Sequence, residues 1–464
     1  MPDPARALVV DLDGTLCRTD TLWECFFAAW RRCWWLPFAV PLWLAQGRAV
    51  FKQRIADIAL PDVSRLPWHP AVVAAMAQAQ AMGRPVVLAT AADQRVARVC
   101  AAQFPAISSV LASDGTRNLK GAHKANVLAE KFADTGFDYI GDSRADQPVW
   151  AAAQEKLSVS DVVPAGGRQL APPEPTGVQT WARLLRVRHW VKNTLVFVAP
   201  LAAHQWNNAA MWQPVIAAFV AFCCVCSAIY VINDLFDLDA DRAHPSKQHR
   251  PLAAGVLPLA TAAAIAVFLA LAGLAISATA GVGVAVVVAL YVALNAAYTL
   301  WIKRQPVYDV FCLAGLYTLR IVAGAIAAGV PLSAWLAAFS VFAFLSLALL
   351  KRAADIDRLA PDERLPGRGY SGRDAAFVNA FGVSSAMAAC LVLALYVAGD
   401  QVSALYGNPL WLWGMVAVVL LWLARMWRTA MSGAMDDDPV LFATRDIVSW
   451  GCAAATALCL ALAI

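Results

Sequence analysis

Residues 230–255 read YVINDLFDLDADRAHPSKQHRPLAAG and follow directly on an apolar run. At helical spacing Asn233, Asp234, Asp237 and Asp241 share one face, while Asp239 points elsewhere. Like charges stacked in this way repel unless a divalent cation lies among them, and hard carboxylate oxygens suit Mg²⁺ that also bridges a pyrophosphate. The basic residues that follow, Arg242, His244, Lys247 and Arg250, can neutralise phosphate oxygens. The stretch therefore predicts a metal-assisted phosphate site at the end of a membrane helix.

The surroundings require a membrane. Of the 464 residues 60% are hydrophobic and only 15% charged, with a mean hydropathy of +0.57. A water-soluble domain has nearer half apolar and a quarter charged residues, so a purely cytosolic globular enzyme is excluded. Candidate spans are 194–204, 212–232, 257–277, 282–300, 308–328, 334–350, 376–398, 409–424 and 441–462, which predicts nine helices. The first is short unless it extends back over Trp190. Beyond position 200 there are fifteen Lys and Arg, and fourteen lie in alternate connections at 242–250, 303–304, 351–373 and 425–445. The positive-inside rule then predicts a cytoplasmic (inner) membrane protein with its N-terminal domain and basic loops in the cytosol and its C-terminus outside. The exception, Arg320, falls inside a helix, where a charge is costly enough to be a functional candidate.

The first 163 residues have a different character. No basic patch followed by an apolar stretch precedes Val10, so this end is expected to stay in the cytosol. The run Val163–Gly177, VPAGGRQLAPPEPTG, has the composition of a stiff linker, giving domains at 1–163 and 178–464 joined by 164–177. Eleven cysteines, three of them at 223, 224 and 226 within an apolar run, read as small buried side chains. The net charge of +5 is small, so local Lys and Arg clusters must hold any polyanion, and no nucleic-acid partner is expected. Oligomeric state is left open.

In the N-terminal half, Leu8–Val10 predict a buried strand delivering Asp11 and Asp13 to a Gly-containing loop. One such Asp can attack phosphorus while the other, two residues on, protonates the leaving oxygen. RPVVLAT is a second strand ending in Thr90, NLKGAHKANVL carries Lys124 at a helix start with Lys120 as its rival, and FDYIGDSRAD ends a third strand in Asp142 and Asp146. In this order the motifs resemble the haloacid dehalogenase-like phosphohydrolase superfamily over residues 5 to about 160. The resemblance implies Asp11 as nucleophile, Asp13 as general acid/base, Thr90 and Lys124 as phosphate binders, and Mg²⁺ on Asp142 with Asp11 and Asp13. A helical insert at about 18–80 holds five of the eighteen Trp within residues 23–43. It can be a headgroup-layer element or an apolar cap packed on the core.

The NDxxDxxxD run, the basic segment and the apolar helices resemble the UbiA-type superfamily of intramembrane prenyltransferases over about 180–464. Arg188–Asn193 (RHWVKN), His244–Lys247 (HPSK) and Tyr298–Arg304 (YTLWIKR) look most like its polyprenyl-phosphate (decaprenyl-phosphate) phosphoribosyltransferase branch. The implied fold is an α/β Rossmann-like haloacid dehalogenase-type domain followed by an all-α nine-helix transmembrane bundle. The implied substrates are 5-phosphoribosyl 1-pyrophosphate and a polyprenyl phosphate, with Mg²⁺ on Asp234, Asp237 and Asp241. Substrate contacts are then expected from Lys192, Asn193, Asn233, Arg242, His244, Lys247, Arg250, Tyr298, Lys303 and Arg320. The later loop KRAADIDRLAPDER departs from the second aspartate-rich run of the aromatic prenyltransferases and leaves Asp355 and Asp357 without a role.

Two sites on one chain suggest consecutive steps: phosphoribosyl transfer to the lipid, then removal of the 5-phosphate by the tethered phosphohydrolase. The alternatives are alkylation of a small aromatic acceptor with a polyprenyl diphosphate, and a lipid-binding or carrier bundle with a regulatory domain. The last predicts an inverted repeat with broken helices, which the sequence does not display.

Overall fold

The computed structural model describes residues 6–114, 118–172, 176–204, 207–357, 359–435 and 438–464. Residues 173–175 of the expected linker, 1–5 of the N-terminus, and 205–206, 358 and 436–437 of the expected connections lie outside the described residues. The chain forms two compact units, one of residues 1–185 with 230–267 and one of 186–229 with 268–464. The acidic segment thus belongs to the same unit as the N-terminal fold, a grouping that the motif boundaries do not anticipate.

In the first unit, β1 (Ala7–Val10) has every residue buried. It is followed by the helical insert α1 (Thr21–Arg32), α2 (Leu36–Ala45), α3 (Arg48–Ile58) and α4 (Pro70–Ala81). Then come β2 (Val86–Asp93), α5 (Gln94–Ala101), β3 (Ile107–Ser113), α6 (Ala122–Lys131), β4 (Phe137–Gly141) and α7 (Gln147–Ala152). Two short strands, β5 (Lys156–Ser158) and β6 (Arg168–Gln169), complete a sheet of order β3-β2-β1-β4-β5-β6. Every pairing is parallel, with Leu8 beside Val86 on one side and Ala7 beside Phe137 on the other. Alternate residues feed opposite cores: Ala7 and Val9 pack with Leu128, Val149 and Trp150, and Leu8 and Val10 pack with Phe26, Met76 and Val96. Strand order reverses at β1, so the crevice for a ligand opens at its carboxyl end, where Asp11 and Asp13 lie.

Both readings of the Trp-rich insert find support. Phe26 and Phe27 of α1 and Ile55 of α3 are buried in the core, as an apolar cap requires. Trp34, Phe38 and Leu42, four residues apart, are 77%, 78% and 62% exposed, forming an apolar stripe of the kind that enters a headgroup layer.

Among the described residues seven helices are long and apolar enough to cross a membrane: Ala209–Phe236, Leu259–Thr279, Val282–Leu300, Tyr308–Ala328, Ala334–Ile356, Gly372–Val397 and Trp411–Met431. An eighth crossing is available if Pro439–Arg445 and Ile447–Ala463, bent by 85°, count as one span. The protein is an integral membrane protein, but among the described residues the expected nine helices become seven or eight. The missing one is 194–204, where a 3₁₀ segment, Val187–Phe197, leads into the short helix Val198–Ala202. Its backbone presses on Gly324, where any Cβ would collide with the Val196 carbonyl. The bend in the last pair has a local cause: Asp446 caps the second helix by accepting from the Ser449 backbone N–H at 2.8 Å, and Arg425 grips the same carboxylate at 2.6 and 2.8 Å. In the core of the second unit, Trp427 donates to Ser346 Oγ at 2.9 Å and lies against Gly382, where a Cβ would strike its ring.

Candidate active sites

The first site is built at the switch point of the sheet. Asp11 ends β1, its backbone N–H bonded to the Ile140 carbonyl at 3.0 Å and its Oδ1 accepting from the Leu12 N–H at 2.9 Å. Lys124 Nζ lies 3.1 Å from Asp11 Oδ1 and 3.3 Å from Asp146 Oδ1, and donates to the Tyr139 hydroxyl at 2.7 Å. Lys124 is buried and Lys120 exposed, although both border the same cleft. Asp13 Oδ1 accepts from the Thr21 N–H at 2.7 Å, which joins the loop after β1 to the start of α1. Gly14 has φ +75°, and a Cβ there would run into the Asp142 carboxylate, so this loop requires glycine.

Burial dominates the electrostatics. It raises the carboxyl of Asp11, against the pull of Lys124. It carries Asp13 up to about 7, helped by the charge of Asp20, and Asp142 up to about 8, helped by Asp11 and Asp146. Asp146 ends below the ordinary carboxylate range, because Lys124 and the hydrogen bonds of Tyr139 and Ser143 outweigh its burial. One carboxylate oxygen from each of Asp11, Asp142 and Asp146 comes within 4.8 Å of the others. Crowded, all-oxygen donors, two of them with raised carboxyls, fit a small hard cation such as Mg²⁺.

Not every expected residue joins this cleft in the expected way. Thr90 is fully buried inside β2, which runs on to Asp93, and its hydroxyl accepts from the Ala92 N–H at 3.0 Å. Three participants have no sequence signal strong enough to single them out. Thr15 donates to Asp142 at 3.2 Å, Asp20 lines the cleft, and Lys52 reaches in from α3 to the Ala91 carbonyl at 2.6 Å.

The second site begins in the acidic segment. The helix Ala209–Phe236 stops one residue before Asp237, and a short helix, Leu238–Ala243, starts just after it. The break keeps helical spacing, since Asp237 N–H donates to Asn233 O at 2.9 Å and Asp241 N–H to Asp237 O at 2.8 Å. Asp234 and Asp241 are buried, Asn233 half-buried and Asp237 exposed. One guanidinium nitrogen of Arg250 donates to both Asp234 (3.0 Å) and Asp241 (2.7 Å), so these two carboxylates converge on a single cation. Arg242 is turned away, bonded to Glu24 and to the Ala253 carbonyl. His244 is exposed, its Nδ1 3.2 Å from Ser246 Oγ, and Lys247 is half-buried.

In the second unit, Lys192 is buried and donates to Asp438 at 2.5 Å. Asn193 Oδ1 accepts from Arg320 Nε at 2.9 Å, and Arg320 also donates to the Tyr291 hydroxyl at 2.7 Å and lies over that ring at 4.8 Å. The Tyr298 hydroxyl accepts from Arg352 at 3.2 Å and Arg368 at 2.5 Å, while Lys303 is half-buried in a one-turn helix. Asp355 pairs with Arg352 at 2.6 Å, and Arg352 in turn holds the fully buried Asp309 at 2.8 Å. The second unit therefore joins Asn193 to Arg320, brings Lys192 and Arg320 over the same Tyr317 ring, and ties Tyr298 to Arg352 and Arg368.

A buried-carboxylate crevice on a parallel sheet and an acidic segment at the end of an apolar helix define a membrane protein with two carboxylate-rich sites. The chain belongs to the UbiA prenyltransferase family, whose model matches residues 194–463, and carries a haloacid dehalogenase-like hydrolase domain matched over residues 8–150. It is 34% identical to the uncharacterized protein y4nM of Sinorhizobium fredii, over 97% of this chain and 89% of that one. It is 38% identical to nodulation protein NoeC of Azorhizobium caulinodans, over 60% of this chain and 91% of that one. Decaprenyl-phosphate phosphoribosyltransferase of Mycolicibacterium smegmatis is 37% identical over 40% of this chain and 60% of that enzyme.

Proposed function

We propose that the protein is a bifunctional enzyme that transfers 5-phosphoribose from 5-phosphoribosyl 1-pyrophosphate to a polyprenyl phosphate and then removes the 5-phosphate, leaving polyprenyl-phosphate ribose. The observation that carries this reading is a phosphohydrolase constellation, Asp11, Asp13, Lys124 and Asp142, on the same chain as the acidic segment. Likeness of the transferase part to decaprenyl-phosphate phosphoribosyltransferases supports the donor and the acceptor.

In the first step a lipid phosphate oxygen attacks the anomeric carbon, and the bond from that carbon to pyrophosphate breaks with inversion. Asp234, Asp237 and Asp241 would hold Mg²⁺ there, and Arg250 lies beside two of them, Asp234 and Asp241. Bound Mg²⁺ supplies charge neutralisation for the pyrophosphate. In the second step Asp11 attacks the phosphorus of the 5-phosphate while Asp13, protonated near neutral pH, gives its proton to the departing ribose oxygen. Asp13 then takes a proton from water, which releases inorganic phosphate from Asp11. Lys124 neutralises the attacking carboxylate and the phosphoryl oxygens, and Asp142 with Asp11 would hold the second Mg²⁺. The bias of basic residues to alternate connections supports a cytosolic face for both sites.

The test is to supply labelled 5-phosphoribosyl 1-pyrophosphate, Mg²⁺ and a polyprenyl phosphate to membranes containing the protein. Label should enter the organic phase, vanish in Asp234→Ala, and shift to a more acidic lipid in Asp11→Asn. Lipid-soluble label arising only from a prenyl diphosphate and an aromatic acceptor would overturn the reading, and continued phosphate release by Asp11→Asn would overturn its second half.

A further inference from the structure

Helix α1 begins at the phosphohydrolase cleft, where Thr21, Leu22 and Cys25 form part of the wall. An adjoining side of the helix grips the acidic segment within the same compact unit. Glu24, 4% exposed, receives both terminal nitrogens of Arg242, at 3.1 Å and 2.6 Å, and the Thr19 hydroxyl at 2.7 Å. A buried, bidentate Arg–carboxylate pair fixes direction as well as distance. The third donor of Arg242, Nε, bonds the Ala253 carbonyl at 3.0 Å, so the pair also ties down the loop after the basic residues.

Two turns further along α1, Arg31 donates to the Phe236 carbonyl at 3.0 Å and pairs with Asp239. A cation at this carbonyl sits at the C-terminal end of the helix that carries Asp234, where the helix dipole favours positive charge. Arg65 adds a bond to the Asp239 carbonyl at 3.2 Å, and the Trp30 ring packs on Phe236 at 4.9 Å. Gly255, at φ +71°, closes the contact: a Cβ there would meet the Arg18 side chain at 2.8 Å. The break at Asp237 is thus held on both sides by the phosphohydrolase insert. On the preceding helix the hold is at Phe236, and on the following one at Asp239 and Arg242.

We propose that α1 is a positioning element for the acidic segment, and that Glu24, a residue of the phosphohydrolase domain, is a positioning residue for the transfer step. Its pairing with Arg242 sets the angle between the two short helical pieces and so the convergence of Asp234 and Asp241. The transferase site is then incomplete without the other domain's insert. The inference rests on the proposed function only for the identity of the transfer reaction.

The experiment uses the full-length protein in lipid nanodiscs, with Glu24→Gln, Glu24→Asp and Arg242→Gln. Transfer of label from 5-phosphoribosyl 1-pyrophosphate to polyprenyl phosphate is followed against Mg²⁺, beside hydrolysis of a small soluble phosphomonoester and hydrogen exchange of peptides covering 234–257. Glu24→Gln and Arg242→Gln should raise the Mg²⁺ concentration for half-maximal transfer at least tenfold, leave the KM for the lipid within twofold, and speed exchange across 234–257. Glu24→Asp should recover most of the loss, and phosphomonoester hydrolysis should stay within threefold in all variants. Unchanged Mg²⁺ dependence in both neutral variants, with active wild type, overturns the proposal. If the wild type makes no labelled lipid, the substrate assignment fails separately, and exchange decides: faster exchange in 234–257 sustains the positioning role, and equal exchange overturns it.

Discussion

Replacing Lys124 with Met removes the one ammonium that lies 3.1 Å from Asp11 and 3.3 Å from Asp146. At an effective dielectric of about 20, unit charges at that separation attract by about 5 kcal/mol. Desolvation of the buried lysine offsets part of this, and deleting one partner of a buried pair costs about 3–5 kcal/mol. On the proposed mechanism the same cation would face the phosphoryl oxygens as Asp11 attacks, so a loss of that order in transition-state stabilisation should lower kcat by about 10²–10⁴-fold. A pH signature follows as well. Without the lysine the carboxyls of Asp11 and Asp146 rise, and a raised acid favours the neutral folded form, so the metal-free variant loses stability as pH climbs above the ordinary carboxylate range. The assay is hydrolysis of a small phosphomonoester with Mg²⁺, with thermal unfolding at pH 5 and pH 8 without it. Lys120→Met, altering an exposed side chain at the same cleft, should retain activity within threefold. Near-normal hydrolysis by Lys124→Met, or an equal loss in Lys120→Met, would refute the assignment.

Mg²⁺ must displace protons from the crevice, because Asp142 titrates at about 8; its ionised fraction falls from about one half at pH 8 to about one hundredth at pH 6, so the apparent Mg²⁺ affinity for hydrolysis should weaken about fiftyfold over that range. A flat profile would show that the carboxyl is already ionised in the working enzyme. In the membrane unit, Arg352→Met strands the fully buried Asp309 and should destabilise the detergent-solubilised protein by about 3–5 kcal/mol. The double variant with Asp309→Leu should regain part of the lost melting temperature, and no regain would argue against the pair. The stripe Trp34, Phe38, Leu42 should lie in the headgroup layer. Trp34 fluorescence in a variant retaining only that tryptophan should then be quenched by lipids brominated near the headgroup, and emission unaffected by them would place the stripe in water.

The features legible in the sequence were those that depend on near neighbours. A buried apolar run followed by DxDGT requires a strand ending in two carboxylates, and the structure puts Asp11 and Asp13 at the carboxyl end of β1. Long apolar runs flanked by basic loops require membrane helices, and seven are present among the described residues. The short run 194–204 forms no span, for reasons that composition does not reveal: the tight approach of Val196 to Gly324 and the 3₁₀ backbone that ends at Phe197. Arg320 was visible as an intramembrane charge, but its partners Asn193 and Tyr291 come from distant stretches. Lys52 carried no local signal, because it reaches the cleft only through the packing of the insert.

Composition, periodicity and motif order by themselves determined a membrane protein that joins a haloacid dehalogenase-like domain to a UbiA domain, since each is set by the chemistry of residues within a few positions of one another. Only the tertiary structure decided which lysine meets Asp11, that Arg250 bridges Asp234 and Asp241, and that Arg242 answers to Glu24 across 218 residues of chain. Such pairings depend on which buried charges packing brings together. That selection is made by the shape of the folded core and leaves no periodic trace along the chain.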